Sequence, residues 1–335
     1  MVNLSISNFK VFIIKAIYKT ILVLLLFAVA LEFYNPLSKK QNSTIVFKNE
    51  IIPELPNKIT VKFNNLGYMG EDFSDTITRQ KICFLGSSRT QLIYIPFSLQ
   101  WTYRAITEKS RYWINNCGKG GHRINDLIND VKKLSKIKPN YIIVLIDPFD
   151  KTQDFKKGEF KAIENFQFLS SIIKPFYRII KSKVNGYKIG HTKVDWRNEK
   201  LRSSNKINSI KIENKEIEYK LDELSNIINN LNAVPIFISC PTTYGNYKSA
   251  DGINMGAIEN SIEIDEFHYQ FSIALNDYCK KKKIYFIDGY RFKKDSRFFY
   301  DYHHFSIVGS INFAELIRPK LNLILNSRDS SITMK

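Results

Sequence analysis

Short, almost uninterrupted apolar runs alternate along this chain with stretches in which apolar residues recur every three or four positions. The runs are residues 81–85 (KICFL), Tyr141–Ile146 (YIIVLI), Val234–Ser239 (VPIFIS) and 284–287 (IYFI), each stopped by a small or turn-forming residue or a charge. Runs of this length without polar alternation predict strands buried on both faces, as in a parallel sheet. Between them, Ile124, Leu127, Ile128, Val131 and Leu134, and then Leu221, Leu224, Ile227, Ile228 and Leu231, fall at helical spacing. Further helices are predicted over about 262–282 and from near Val308 to about Leu325. Helices between continuous apolar strands predict an α/β fold of three layers, a mostly parallel sheet with helices on both faces and functional groups at the carboxyl ends of the strands.

One run has a different meaning. Residues 21–31 (ILVLLLFAVAL) follow Lys10, Lys15 and Lys19 and are closed by Glu32 and the turn-like pair Asn35-Pro36. Positive charge ahead of an apolar run keeps the N-terminus inside, and with Lys15 and Lys19 reaching the headgroups a tilted span extends over 11–34. The competing reading is a cleaved signal peptide, because Ala28-Val29-Ala30 has the small-x-small pattern of a cleavage site. A buried core helix fits poorly with apolar residues on all sides and flanking lysines. The first two readings both export everything after Tyr34.

The expected organisation is a cytoplasmic N-terminus (1–10), a transmembrane anchor (11–34), a polar linker with Pro53 and Pro56 (35–60), a main domain (61–327) and a tail (328–335). Within the domain, residues 151–219 break the rhythm. They are crowded with Lys156, Lys157, Lys181, Lys183, Lys188 and Lys193 and with aromatics such as Phe166, Phe176, Tyr187 and Trp196. That is too long for a simple connection, so the segment reads either as an insertion forming a lid or docking surface over one end of the sheet or as a solvated excursion.

Charge narrows the partners only a little. The net charge of +18 over 335 residues suits nucleic acid, an anionic glycan or a membrane surface. No zinc-finger spacing, RNP motif or Walker A loop accompanies it, so nucleic acid rests on charge alone and is not expected. The four cysteines, Cys83, Cys117, Cys240 and Cys279, are far apart and form no CxxC pair; they read as small core residues. Cys117 has no neighbouring base and reads as inert.

Two loops carry candidate chemistry. Gly86-Ser87-Ser88-Arg89-Thr90 places hydroxyls just beyond the first apolar strand, although Ser-rich turns there also serve as plain caps. Near the other end, Asp301-Tyr302-His303-His304 puts an acid three residues before a base on a tight loop, in a chain with only 5 histidines. Such an Asp can orient an imidazole toward a nucleophile; alternatively it caps the last helix.

In order and spacing these blocks resemble the SGNH (GDSL-type) hydrolases, in particular the membrane-anchored bacterial cell-envelope members. That family has a Gly-x-Ser loop after the first strand, here Gly86-Ser87-Ser88, and an Asp-x-x-His element before the final helix, here Asp301 to His304. Asn64-Asn65-Leu66-Gly67-Tyr68-Met69-Gly70 is similar to the segment preceding the nucleophile, and Asn116 to Gly121 to the block that supplies an oxyanion-hole glycine. The resemblance spans about 63–325. It implies a flavodoxin-like three-layer fold, Ser88 as nucleophile, His304 as base, Asp301 as its orienting acid, and the N–H groups of Ser88 and Gly121 as oxyanion donors, with no cofactor and no metal. It implies an esterase or O-acyltransferase acting on acyl esters of a cell-envelope glycan, beside a membrane-embedded acyltransferase in some members. Arg89 and Asp150 are candidate substrate-binding residues for an acidic or phosphorylated glycan.

One block departs. Where family members have Gly-x-Asn-Asp after the second strand, this chain has Asp147-Pro148-Phe149-Asp150, without the asparagine that donates to the oxyanion. Loss of one such donor costs about 3 kcal/mol of transition-state stabilisation. The rival reading is therefore an SGNH-fold envelope protein of little or no activity that binds a polysaccharide or a membrane partner.

Overall fold

The computed structural model describes residues 41–49, 55–148, 187–188, 214–245, 247–248, 254–255, 261–301 and 303–332, with 18–20 and 22–23 near the N-terminus. In chain order the first elements are strands β1 (Thr44–Lys48), β2 (Lys58–Lys62), β3 (Met69–Gly70) and β4 (Gln80–Leu85), helices α1 (Ser88–Gln91) and α2 (Trp101–Arg104), and strand β5 (Tyr112–Asn116). Helix α3 (Ile124–Lys133), strands β6 (Tyr141–Ile146) and β7 (Tyr187–Lys188), helix α4 (Asn214–Asn230) and strand β8 (Val234–Ser239) follow. The last are β9 (Tyr247–Lys248), β10 (Asn254–Met255), α5 (Ser261–Lys282), β11 (Tyr285–Ile287) and α6 (Ile307–Ile332).

The main sheet has the order β11-β8-β6-β4-β5-β3, parallel throughout except for β3, which runs antiparallel to β5. Period-two alternation divides its side chains into two cores. Ile82 and Phe84 of β4, Ile143 and Leu145 of β6, and Ile236 and Ile238 of β8 pack with Trp101 of α2 and with Phe313, Ile317 and Leu321 of α6. Their neighbours Cys83, Leu85, Ile142, Val144, Ile146 and Phe237 pack on the other face with α3, α4 and α5, through residues such as Val131, Leu224 and Leu275. These are the three layers expected from the runs. All four cysteines are buried free thiols.

Connectivity fixes where chemistry can sit. The chain passes from β4 to β5 on one side and then to β6 on the other, so the direction of winding reverses at β4. The carboxyl ends of β4 and β6 flank a crevice at this switch point, which is where open α/β sheets bind ligands. The loop beginning at Gly86 and the loop beginning at Asp147 both open into it.

Three expectations need correction. The stretch read as a linker contains β1 and the start of β2, paired antiparallel from Thr44–Lys62 to Lys48–Lys58, with Ile45, Phe47, Ile59 and Val61 buried in the first core. Strand β5 was not expected from the sequence, yet all five of its residues are buried. Its asparagines find partners: Asn115 Oδ1 accepts from Asn64 Nδ2 at 2.5 Å, and Asn116 Nδ2 donates to Thr90 O at 2.6 Å and Gln100 Oε1 at 2.7 Å. Helix α4 starts at Asn214, inside the span read as insertion, and α6 runs on to Ile332, into the span read as tail. Of the remainder of that insertion only β7 is described; it pairs in parallel with β1. Among the described residues no helix is long and apolar enough to cross a membrane; the run 21–31 lies outside them apart from 22–23.

Candidate active site

Strand β4 turns into helix α1 within two residues, and Gly86 permits it. At φ +154° its backbone lies where L side chains rarely go, and a Cβ there would collide with Thr90 Oγ1. Ser87 caps the turn through its carbonyl, which accepts the N–H groups of Thr90 and Gln91, both at 3.0 Å. Ser88 becomes the first helical residue, at the mouth of the crevice.

The second loop comes from between β11 and α6. An antiparallel bridge between Phe299 and Phe305 pinches it shut, and the Tyr300 N–H donates to His304 O at 3.1 Å. Within the pinch, Asp301 Oδ1 accepts the backbone N–H groups of His303 (2.8 Å) and His304 (2.7 Å). The same carboxylate meets His304 Nδ1, at 2.9 Å through Oδ1 and 2.8 Å through Oδ2. Asp301 is not the cap of the last helix; Ser306 is, with its Oγ accepting the Gly309 N–H at 3.0 Å.

The two loops, 216 residues apart in sequence, meet where His304 Nε2 lies 2.8 Å from Ser88 Oγ. Since a carboxylate only accepts, Nδ1 carries the imidazole proton and Nε2 is left to accept from the serine hydroxyl. Tyr300 stacks on the His304 ring at 5.6 Å and 16°, and Tyr94 stands edge-on to Tyr300 at 4.9 Å, anchored by its hydroxyl to Phe305 O. His304 is thus fixed at both nitrogens and on one face. Burial works to raise the Asp301 carboxyl, but hydrogen bonding and charge from His304, with the N–H of His303, outweigh it and hold the carboxyl below its usual range. The arrangement can move the Ser88 proton to His304 and steady the imidazolium that forms.

Other candidate residues fall differently. Arg89 does not face a ligand: it is 1% exposed, and its guanidinium donates inward to Cys240 Sγ at 2.9 Å, to Pro241 O and to His303 Nδ1 at 3.0 Å, with Asp147 Oδ2 3.8 Å from its Nε. A charge flanked by four acceptors from three other loops is drawn into the protein rather than toward solvent. Because guanidinium only donates, His303 Nδ1 must accept, so its proton sits on Nε2 and points at Tyr244 Oη, 3.1 Å away. Asp150 lies outside the described residues. Cys117 is buried, and burial followed by the Cys83 thiol pushes it well up, away from thiolate character.

The glycine loop approaches the serine through Gly120. A Cβ built on Gly120 would lie 3.8 Å from Ser88 Cβ, and its N–H donates to Gln91 Oε1 at 2.9 Å, whereas a Cβ on Gly121 would meet nothing within 4 Å. Asp130, 2% exposed in α3, clamps this loop from below by accepting Lys119 Nζ and His122 Nδ1, both at 2.6 Å; these bonds outweigh burial and lower its carboxyl to about 2. Sequence reasoning missed this clamp and Gln91, since neither belongs to a motif. Beside Asp147 a cleft of about 220 Å³ opens over Ile146, Phe267 and Phe271, with Arg123 and Lys220 among its lining. Among the described residues no group of three or more His, Cys, Asp or Glu side chains could hold a metal ion.

A serine in the first turn after the leading parallel strand thus meets an Asp-x-x-His loop ahead of the final helix, at the switch point of this sheet. No family model matches the chain, and no curated protein matches it. Solved structures similar to it include a member of the lipolytic G-D-S-L family from Veillonella parvula, at 12% identity and TM-score 0.41, covering 71% of this chain and 96% of that one. Another is a carbohydrate acetylesterase from Sinorhizobium meliloti, at 11% identity and TM-score 0.43, covering 73% and 100%. A third is a catalytic mutant of an acetylxylan esterase from Geobacillus stearothermophilus, at 12% identity and TM-score 0.41, covering 71% and 92%.

Proposed function

We propose that the chain is a serine esterase or O-acyltransferase of the SGNH type, acting on acyl esters of a cell-envelope glycan and held at the membrane by residues 11–34. The observation that carries the chemistry is the 2.8 Å approach of Ser88 Oγ to an imidazole whose other nitrogen is bound to Asp301. Ser88 Oγ attacks the ester carbonyl carbon as His304 Nε2 takes its proton. The tetrahedral oxyanion is met by the N–H groups of Ser88 and Gly121. Collapse expels the alcohol, which leaves with the proton from His304, and Ser88 carries the acyl group. Water or a glycan hydroxyl then gives its proton to His304 and attacks the acyl carbon, and His304 returns that proton to Ser88 Oγ as the acyl bond breaks. The apolar floor of the cleft beside Asp147, with Arg123 and Lys220 in its lining, suits an acyl ester on an anionic polymer. In the transferase form a membrane-embedded acyltransferase would supply the acyl group.

The test is a serine-directed fluorophosphonate probe on the purified chain. Labelling at Ser88 that disappears in His304→Ala supports the enzyme. Short-chain p-nitrophenyl esters, with and without added oligosaccharide, then divide hydrolase from transferase. The second reading, a polysaccharide-binding protein of little or no activity, draws on the block Asp147-Pro148-Phe149-Asp150, which lacks the family's oxyanion asparagine. Absence of labelling would favour it.

A further inference from the structure

The block Asp147-Pro148-Phe149-Asp150 lacks the family's oxyanion asparagine, so the site is short of one side-chain donor. We propose that Gln91 takes that part, its Nε2 amide donating to the oxyanion formed at Ser88. The proposal rests on the serine-esterase reading above.

Gln91 lies three residues beyond Ser88 in α1, so the two side chains share a helix face. Its amide orientation is fixed by chemistry: the Gly120 N–H needs an acceptor and finds Oε1 at 2.9 Å, so the carbonyl end faces the glycine loop and the NH₂ end faces away from it. The amide is also near the nucleophile. The place a Gly120 Cβ would occupy is 3.1 Å from Gln91 Oε1 and 3.8 Å from Ser88 Cβ, so a single glycine's width separates them. Among the described residues Nε2 makes no hydrogen bond, and it is not among the enclosed side-chain atoms that lack one, so it keeps contact with solvent. The Gly120 N–H, engaged by Gln91, is withdrawn from the oxyanion. The amide that withdraws it has two N–H bonds of its own to give.

The experiment compares full-length wild type, Gln91→Glu and Gln91→Leu in the p-nitrophenolate burst from p-nitrophenyl acetate, with thermal melts as the check on folding. Glu keeps an acceptor for Gly120 but replaces the donor with a second acceptor. We expect Gln91→Glu to lose about 10²-fold in burst rate at pH 7 with little change in KM, as removal of one oxyanion donor does. Its deficit relative to wild type should narrow as pH falls and the introduced carboxyl, protonated, again donates. If Gln91 only held the glycine loop, Gln91→Glu would stay near wild type and Gln91→Leu alone would fail; that result overturns the donor role and leaves the esterase standing. A wild type with no burst and no probe labelling overturns both.

Discussion

Replacing Arg89 with Met tests whether the ends of β4, β6 and β8 and the Asp-His loop are joined through one buried guanidinium. Met fills much the same volume, so the change is one of charge and hydrogen bonding more than of packing. Arg89 is 1% exposed and the Asp147 side chain 12%, so removing the cation leaves a carboxylate in a poorly hydrated place. Breaking a buried pair on one side costs about 3–5 kcal/mol, and the 3.8 Å separation with residual exposure of Asp147 argues for the low end. Pro241 O and His303 Nδ1 each lose this donor, for about 1 kcal/mol apiece where water cannot fully replace it. The expected loss is about 5 kcal/mol, a large share of the roughly 5–15 kcal/mol that a domain has. Arg89→Lys keeps the charge but cannot fork to several acceptors and should fall between, near 2 kcal/mol.

The assay is urea unfolding in detergent followed by tryptophan fluorescence, since Trp101 and Trp113 are both fully buried in this domain. A second substitution separates charge from hydrogen bonding: Asp147→Leu in the Arg89→Met background removes the stranded carboxylate and should recover about 2 kcal/mol. If Arg89→Met unfolds within 1 kcal/mol of wild type, or if adding Asp147→Leu recovers nothing, the guanidinium does not hold these loops.

Asp301→Asn should fold normally but lose on the order of 10⁴-fold in ester turnover, because an amide cannot hold the imidazole in the tautomer that accepts from Ser88; normal turnover would remove Asp301 from the mechanism. Gly86→Ala should cost more than about 2 kcal/mol in unfolding free energy, since φ +154° and the Thr90 Oγ1 collision act together, and a neutral result would show that the turn relaxes. The Asp130 carboxyl sits at about 2, below its unfolded value of 3.8, so its contribution is present above pH 4 and is lost as pH falls from 4 toward 2. That contribution is about 2 kcal/mol, and Asp130→Asn should flatten the stability loss across that interval; an unchanged slope in acid unfolding would refute it.

What the sequence made legible depended on how local its cause was. The runs at Tyr141–Ile146 and Val234–Ser239 are apolar because both faces of a central parallel strand are covered, so the pattern declares the layer. Asp301 and His304 were legible because one tight turn brings them together within four residues. Strand β2 was not, because KITVK alternates over only five positions and its outer side is two lysines and a threonine, which reads as polar linker. Strand β5 was hidden by two asparagines whose partners, Asn64, Thr90 and Gln100, come from other loops. Arg89 was misread for the same reason: its acceptors at Cys240, Pro241 and His303 lie 151 to 214 residues away, so nothing near it in sequence says that it is buried.

Asp147 and Arg89 are better understood together than as one departure and one neighbour. Asp147 opens the block in which the resembled family has glycine, and a glycine there could not balance a buried guanidinium. A carboxylate there balances Arg89 and, having no proton to give, cannot donate. Arg89 in turn reaches His303, the residue beside the base, so the change after β6 is tied to how the Asp-His loop is held against α1. This predicts that Asp147→Asn will not supply an oxyanion donor. It would remove the charge beside the guanidinium while Arg89 stays fixed by Cys240, Pro241 and His303, and the amide oxygen, the one end of the new side chain that can accept, would stay turned to Arg89. Ester turnover in Asp147→Asn should therefore equal or fall below wild type, and a gain of tenfold or more would show that the amide had turned its NH₂ toward the oxyanion and that Arg89 does not control the orientation of this position.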